Sequence, residues 1–534
     1  MKALFALLAL LGAVLGAGQA RAQESPMRVT AYQLERHRLA GLTHVRVAGA
    51  PDEPAEVPLE VTVDEAGRVA AAGPVRPSYA LYPGPPPRPW QDEAQAQVRS
   101  WRFRPFVRDG RPVAVRGYVH LRVLPPAAVL ARRVAFPEFP REQVRITLRR
   151  HGCYGVCAAY DVTISGDGRV RFNGVSDTLL DGVREYEIPV ERVERLIERF
   201  READFWSLDS HYQAMMTDSP TYELTFAAGG RSKTVTDYVG HLAGMPDAVR
   251  ELEYAVDEAA ETSRWIHGSE STLDALAAAG FDFRSEEAAH LVIASIGVAP
   301  DSLPLGLIER GAPLDASPPP CHGCRESSVR EAALAAAILH GRPALFDRLA
   351  SDAAIRAMVD EERDTHLLAA AYVHSPHMVE RLLAGGARIG ATSFGAGTVL
   401  HRALDEPWEL APDADQPALV RLLLARGVDV NARDGIGWTA LQQAYDNGAE
   451  IVRMLLAAGA DVNAGAVGGH PLLYLTRDEE VALIALEAGA DRTLRDMEGR
   501  ALPEMARRYG WSRVLALLGH PLSPPSPSPA AATF

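Results

Sequence analysis

Between Gly268 and His520 one glycine-marked unit recurs, and no other feature of the chain constrains its fold as strongly. The marker glycines Gly280, Gly311, Gly386, Gly427, Gly459 and Gly489 lie 31, 75, 41, 32 and 30 residues apart. One unit of this length has too little apolar surface to bury its own face, so copies must stack. The clearest copy begins Asp434-Gly435-Ile436-Gly437-Trp438-Thr439-Ala440-Leu441 and continues through Ala444, Gly448, Ile451, Val452, Leu455 and Leu456 to Gly459-Ala460-Asp461-Val462-Asn463. Thr439 is suited to cap a short helix whose inner face is Leu441 and Ala444. Gly448 permits a tight turn, Leu455 and Leu456 pack a second helix, and Gly459 ends it in the left-handed conformation.

The wide gap in the spacing holds a degenerate copy with helices over Ala332 to Leu339 and Leu345 to Leu349; the gap of 41 carries an insert, Asp405 to Gln416. The opening element returns as Thr365-His366-Leu367-Leu368, Thr398-Val399-Leu400-His401 and His470-Pro471-Leu472-Leu473. These units resemble the ankyrin repeat. The resemblance implies about seven copies in an all-α ankyrin solenoid over 268–520, with atypical ends, and a concave surface that takes a protein partner. Phe394, Ile436 and Trp438 stand at positions that vary in that family, and Trp408 lies on the insert. Apolar and aromatic groups there fit binding anchors, local packing being the alternative. His366, His401 and His470, at expected helix starts, are read as structural hydrogen-bonding groups and not as metal ligands.

A chain of 534 residues exceeds one hydrophobic core, and two α+β domains are expected before the repeats. In the first, 23–125, Leu59 to Val63 alternates, turns at Glu65-Ala66-Gly67 and resumes at Arg68-Val69, a hairpin pattern. Tyr79 to Trp90 is Pro-rich, which excludes a regular helix or central strand. Gln91 to Ser100 is helix-compatible, with Ala94 and Val98 on one face. Val98-Arg99-Ser100-Trp101-Arg102-Phe103-Arg104-Pro105, followed by Asp109-Gly110-Arg111-Pro112-Val113, resembles the C-terminal domain of TonB-type proteins. That resemblance implies strand addition to an envelope protein, a second partner. The chain departs from that family in its Pro-rich insert and in lacking a retained anchor.

Residues 126–140, rich in proline, read as a linker. In the second domain, 141–267, Arg145 to Leu148 is strand-like and Tyr160 to Val175 is a hairpin about Gly166-Asp167-Gly168. An amphipathic helix opens at Pro189 and buries Val193, Leu196, Ile197 and Phe200. A second hairpin, Tyr222 to Tyr238, precedes a closing helix from Asp247 to Trp265. Cys153-Tyr154-Gly155-Val156-Cys157, with the Gly166-Asp167-Gly168 hairpin, Thr217-Asp218-Ser219-Pro220 and Arg264-Trp265, resembles a domain of unknown function in exported bacterial proteins.

Met1 to Ala22 has the pattern of a cleaved secretory signal: Lys2, an apolar run from Ala3 to Ala17, and Ala20-Arg21-Ala22 before Gln23. That run is shorter than the roughly 20 residues of a spanning helix, and no later segment is suited to be an integral membrane span. Cleavage removes Lys2 and Arg21 and takes the net charge from -14 to -16. So acidic a chain is a poor nucleic-acid binder. An exported, periplasmic setting, with secretion further out as the alternative, favours oxidised cysteines. Cys153 and Cys157 are therefore expected as one bridge, with free thiols or a metal site including His151 as alternatives, and Cys321 and Cys324 as another. Residues 521–534 read as a disordered tail.

No catalytic motif, cofactor or metal site is recognised, and the expected function is an exported envelope scaffold or adaptor. The alternative is a periplasmic enzyme, with thiol–disulfide redox chemistry in the middle domain or at the Cys321/Cys324 loop.

Overall fold

The structure is a computed structural model. It describes residues 26–47, 55–74, 86–108, 111–124, 133–215, 217–320, 326–393, 397–407, 410–465, 471–496 and 499–519. A strand-rich N-terminal region precedes a helical C-terminal region.

The first domain is built on β1 (Met27–Arg28), α1 (Ala31–His37), β2 (His44–Arg46), β3 (Ala55–Val63), β4 (Val69–Pro74), α2 (Arg88–Arg99) and β5 (Val115–Leu124). The expected hairpin is β3–β4, its turn held by Asp64 Oδ1, which accepts the Ala66 and Arg68 N–H groups. β5 pairs antiparallel with β3, and it pairs parallel with β1 at its start and with β2 at its end. Val57, Leu59, Val61 and Val63 alternate into a core with Ala94, Val98, Trp101 and Leu121. Two readings change here. α2 starts at Arg88, inside the Pro-rich stretch, because a proline in the first helical turn sacrifices no intrahelical hydrogen bond. α1 was not expected, although Thr30 and Gln33 form a capping box at its start.

The second domain contains β6 (Arg145–Arg150), β7 (Ala159–Ser165), β8 (Arg169–Ser176), β9 (Gly182–Glu187), α3 (Val190–Glu202), β10 (His211–Gln213), β11 (Tyr222–Ala228), β12 (Arg231–Tyr238), α4 (Asp247–Ala260) and α5 (Ser263–Ile266). Its sheet runs β9–β8–β7–β6–β11–β12–β10, antiparallel except for β10 against β12. α3 buries the four residues expected of it. The closing helix is two pieces, α4 and α5, because Glu261 takes a left-handed conformation. The end of the proposed linker is packed: Phe136 and Phe139 lie 5.4 and 5.5 Å from the Phe226 ring, and Val134 N–H donates to Ser207 Oγ. Proline there shapes the backbone, but the aromatic side chains between the prolines supply core.

One buried core runs from Val144 to Leu515, so the second domain and the helical region share it. Trp265 and Ile266 carbonyls accept the Leu180 and Leu179 N–H groups, and Thr272 Oγ1 donates to the Arg264 carbonyl. The middle domain thus packs directly on the helices that follow it. The six marker glycines all have positive φ, and at Gly459, φ +92°, this conformation reverses the chain after the helix Ala449–Ala457. Where the degenerate copy is expected, two helices lie at Val329–Leu339 and Pro343–Leu349. Thr365-His366 does not start a helix. Asp360, Glu361 and Glu362 occupy the first turn of Asp360–Tyr372, where acidic groups are favoured, and Thr365 bonds back to the Glu361 carbonyl.

The N-terminal domain returns to both other regions. Asp247 at the start of α4 accepts His44 Nε2 at 2.8 Å and Arg46 Nε at 3.0 Å. The Arg38 guanidinium lies over Trp101 and Tyr254 and donates to the Tyr254 hydroxyl. Gln33 Nε2 donates to the Leu410 carbonyl in the insert. The insert in turn lies across the preceding unit, with Ala411 and Asp415 N–H groups on the Val373 and His374 carbonyls. Among the described residues, no helix is long and apolar enough to cross a membrane.

Candidate protein-interaction surface

The repeats present hairpin tips, and hydrogen bonds fix their shape. Asp434 Oδ1 accepts the N–H groups of Ile436 and Trp438 at 3.0 and 2.8 Å, folding the segment into a tight loop. Thr439 and Gln442 cap the following helix reciprocally. Adjacent tips are linked. Asn431 Nδ2 donates to the Gly459 carbonyl while its Oδ1 accepts the Asp461 N–H, and Asn463 repeats this with Gly489 and Asp491. Asparagine suits this post because one amide both donates and accepts.

On this frame Ile436 is 71% exposed. Trp438 is half-buried, edge-on to Tyr445 at 6.4 Å, and Tyr445 is itself 41% exposed. Exposed Ile436 thus sits in the same hydrogen-bonded loop that carries the Trp438–Tyr445 contact. Trp438 packs locally against Tyr445, the alternative reading of it from sequence. None of the N-terminal contacts named above involves a tip residue. Phe394 and Trp408 lie outside the described residues.

His401 is structural: Nδ1 meets Thr398 Oγ1 at 2.9 Å and Nε2 meets the Trp438 carbonyl at 3.1 Å. Burial pushes its imidazole down, and the Trp438 carbonyl opposes this. Gln443 links successive units by donating to the His401 carbonyl and to Asp405.

Cys153 and Cys157 are joined, as expected, across a loop whose Tyr154 and Val156 are exposed. His151 lies 3.7 Å from Glu223. Cys321, Cys324 and His470 lie outside the described residues. Among those described, no cluster of three metal-ligating side chains is present.

A second polar feature was missed from sequence. A row across the middle sheet, Tyr160, Arg150, Tyr222 and Asp237, is in direct cross-strand register. Asp257 of α4 accepts the Tyr160 and Thr262 hydroxyls. Arg250, Glu253 and Asp257 recur at helical spacing among the buried Val249, Leu252 and Val256. Three charges on an apolar helical face were the available signal.

Two stretches match known families. Residues 144–260 match the family described as "Domain of unknown function (DUF6438)". Residues 409–496 match "Ankyrin repeats (3 copies)". Among curated proteins, none matches the chain. The chain thus carries a DUF6438 domain at 144–260 and ankyrin repeats at 409–496.

Proposed function

We propose that this chain is an exported scaffold or adaptor of the bacterial cell envelope that binds a protein partner through its ankyrin hairpin tips. Ankyrin repeats suggest a protein-interaction role, and the observation that carries the reading is Ile436 standing exposed in the hydrogen-bonded loop that also holds Trp438. In this reading about seven units stack as a solenoid over 268–520. The signal-like Met1 to Ala22 and the disulfide favour export to the periplasm. The TonB-like first domain engages a second envelope protein. The net charge of -14 argues for protein over nucleic acid as partner.

The test uses the full chain, because the repeats share their core with the middle domain. A tagged chain should capture a specific protein from envelope extract. Ile436→Ala with Trp438→Ala should weaken that capture about 30-fold, the equivalent of ~2 kcal/mol for hot-spot truncation. Equal recovery by the double variant would sink the assignment.

A further inference from the structure

Glu253 and Asp237 face each other beneath α4. Both are buried, at 2% and 0% exposure, and Asp237 stands within hydrogen-bonding range of Glu253. One guanidinium serves both: Arg250 Nη2 is 2.7 Å from Asp237 Oδ2 and Nη1 is 3.2 Å from Glu253 Oε2. Neither oxygen of Glu253 makes a hydrogen bond of good geometry among the described residues. Two buried carboxylates against the one guanidinium that bridges them leave a net charge, which a proton would remove.

Asp237 Oδ1 accepts the Gly240 N–H at 2.6 Å, and charged and titratable groups surround the pair. From the sheet come Tyr222 of β11, Arg150 of β6 and Tyr160 of β7. From α4 itself come Arg250, Tyr254 and Asp257. His241 precedes the helix, stacked 5.4 Å from His44. From the same helix, Asp247 and Tyr254 hold His44, Arg46 and Arg38 of the N-terminal domain. α4 therefore joins the carboxyl pair to the docked domain.

We propose that the Asp237–Glu253 pair is a pH-sensitive latch, in which a shared proton keeps α4 seated and the N-terminal domain docked, and loss of that proton releases both. Burial raises the Glu253 carboxyl to about 8; Arg250 opposes this, and Asp237 and Asp257 add to it. Burial raises Asp257 too, against hydrogen bonds from Thr262 and Tyr160. The native state then holds one proton more at Glu253 than an opened state does between the ordinary glutamate range and about 8. Stability falls as pH rises through that window. Burial pushes His241 and His374 down to about 4, which has the opposite sign and is complete by the ordinary histidine range, near 6.5. The interval from there to about 8 reads the buried carboxyls, and the Glu253 and Asp237 variants separate the pair from Asp257.

The experiment is hydrogen–deuterium exchange on the full chain across that interval, corrected for the intrinsic pH dependence of exchange. Amides of Ala449–Ala457 serve as the internal reference. Protection of α4 and of residues 33–46 should fall by up to about tenfold per pH unit. Glu253→Gln should abolish the fall. Asp237→Asn, which leaves one carboxylate opposite Arg250, should abolish it too and serves if Glu253→Gln does not fold. A wild-type chain with no pH dependence, or a fall that persists in both variants, overturns the latch. Loosening of α4 without any change at residues 33–46 also overturns it.

Discussion

Phe226→Ala should cost about 3–5 kcal/mol, the range for removing a fully buried aromatic ring. Phe226 is 0% exposed in β11, and its ring meets Phe136, Phe139, Phe200, Phe205 and Trp206 at centroid distances between 5.1 and 6.5 Å. Two of those partners come from the stretch that composition marks as a linker. The variant therefore also tests whether residues 134–140 belong to the middle domain. Urea unfolding should show a lower midpoint with an unchanged slope. Phe136→Ala, at a partly buried ring, should shift the midpoint in the same direction by less. A Phe226→Ala midpoint equal to wild type would refute this account of the core.

Arg250→Met should be comparably damaging, at about 3–5 kcal/mol, since it removes the cation from two buried carboxyls. The guanidinium bridges Asp237 and Glu253 and lies 4.7 Å from the centre of the Tyr222 ring. Methionine roughly preserves the stem and removes only the charge and the fork. The loss should shrink in Arg250→Met with Asp237→Asn, because the carboxylate left without its cation is gone. That non-additivity is the signature of a direct interaction. Denaturation of the four proteins at neutral pH measures it. Additive effects, or a single-variant loss below about 1 kcal/mol, would contradict the geometry.

Local patterns were legible in the sequence; long-range register was not. The hairpin about Gly166-Asp167-Gly168 and the buried face of α3 follow from periodicity alone, and the glycine spacing foretold the helix reversals. α1 was readable from Thr30 and Gln33, but its partner Leu410 lies far along the chain. The carboxyl layer is harder, because Arg150, Tyr222 and Asp237 become neighbours only once three strands pair. At the candidate surface, the exposure of Ile436 could be read from its place in the loop. That Trp438 rests against Tyr445 could not, since the pair meets only when the capped helix forms.

Protein partners that dock on the hairpin tips should be captured there. A photo-crosslinking residue in place of Ile436, in the full chain within its native envelope, tests this most directly. Val175, exposed on the middle domain, is the control position. A discrete adduct of defined mass is expected at 436 and none of that mass at 175. The same adduct at both positions, or none at 436, would contradict it.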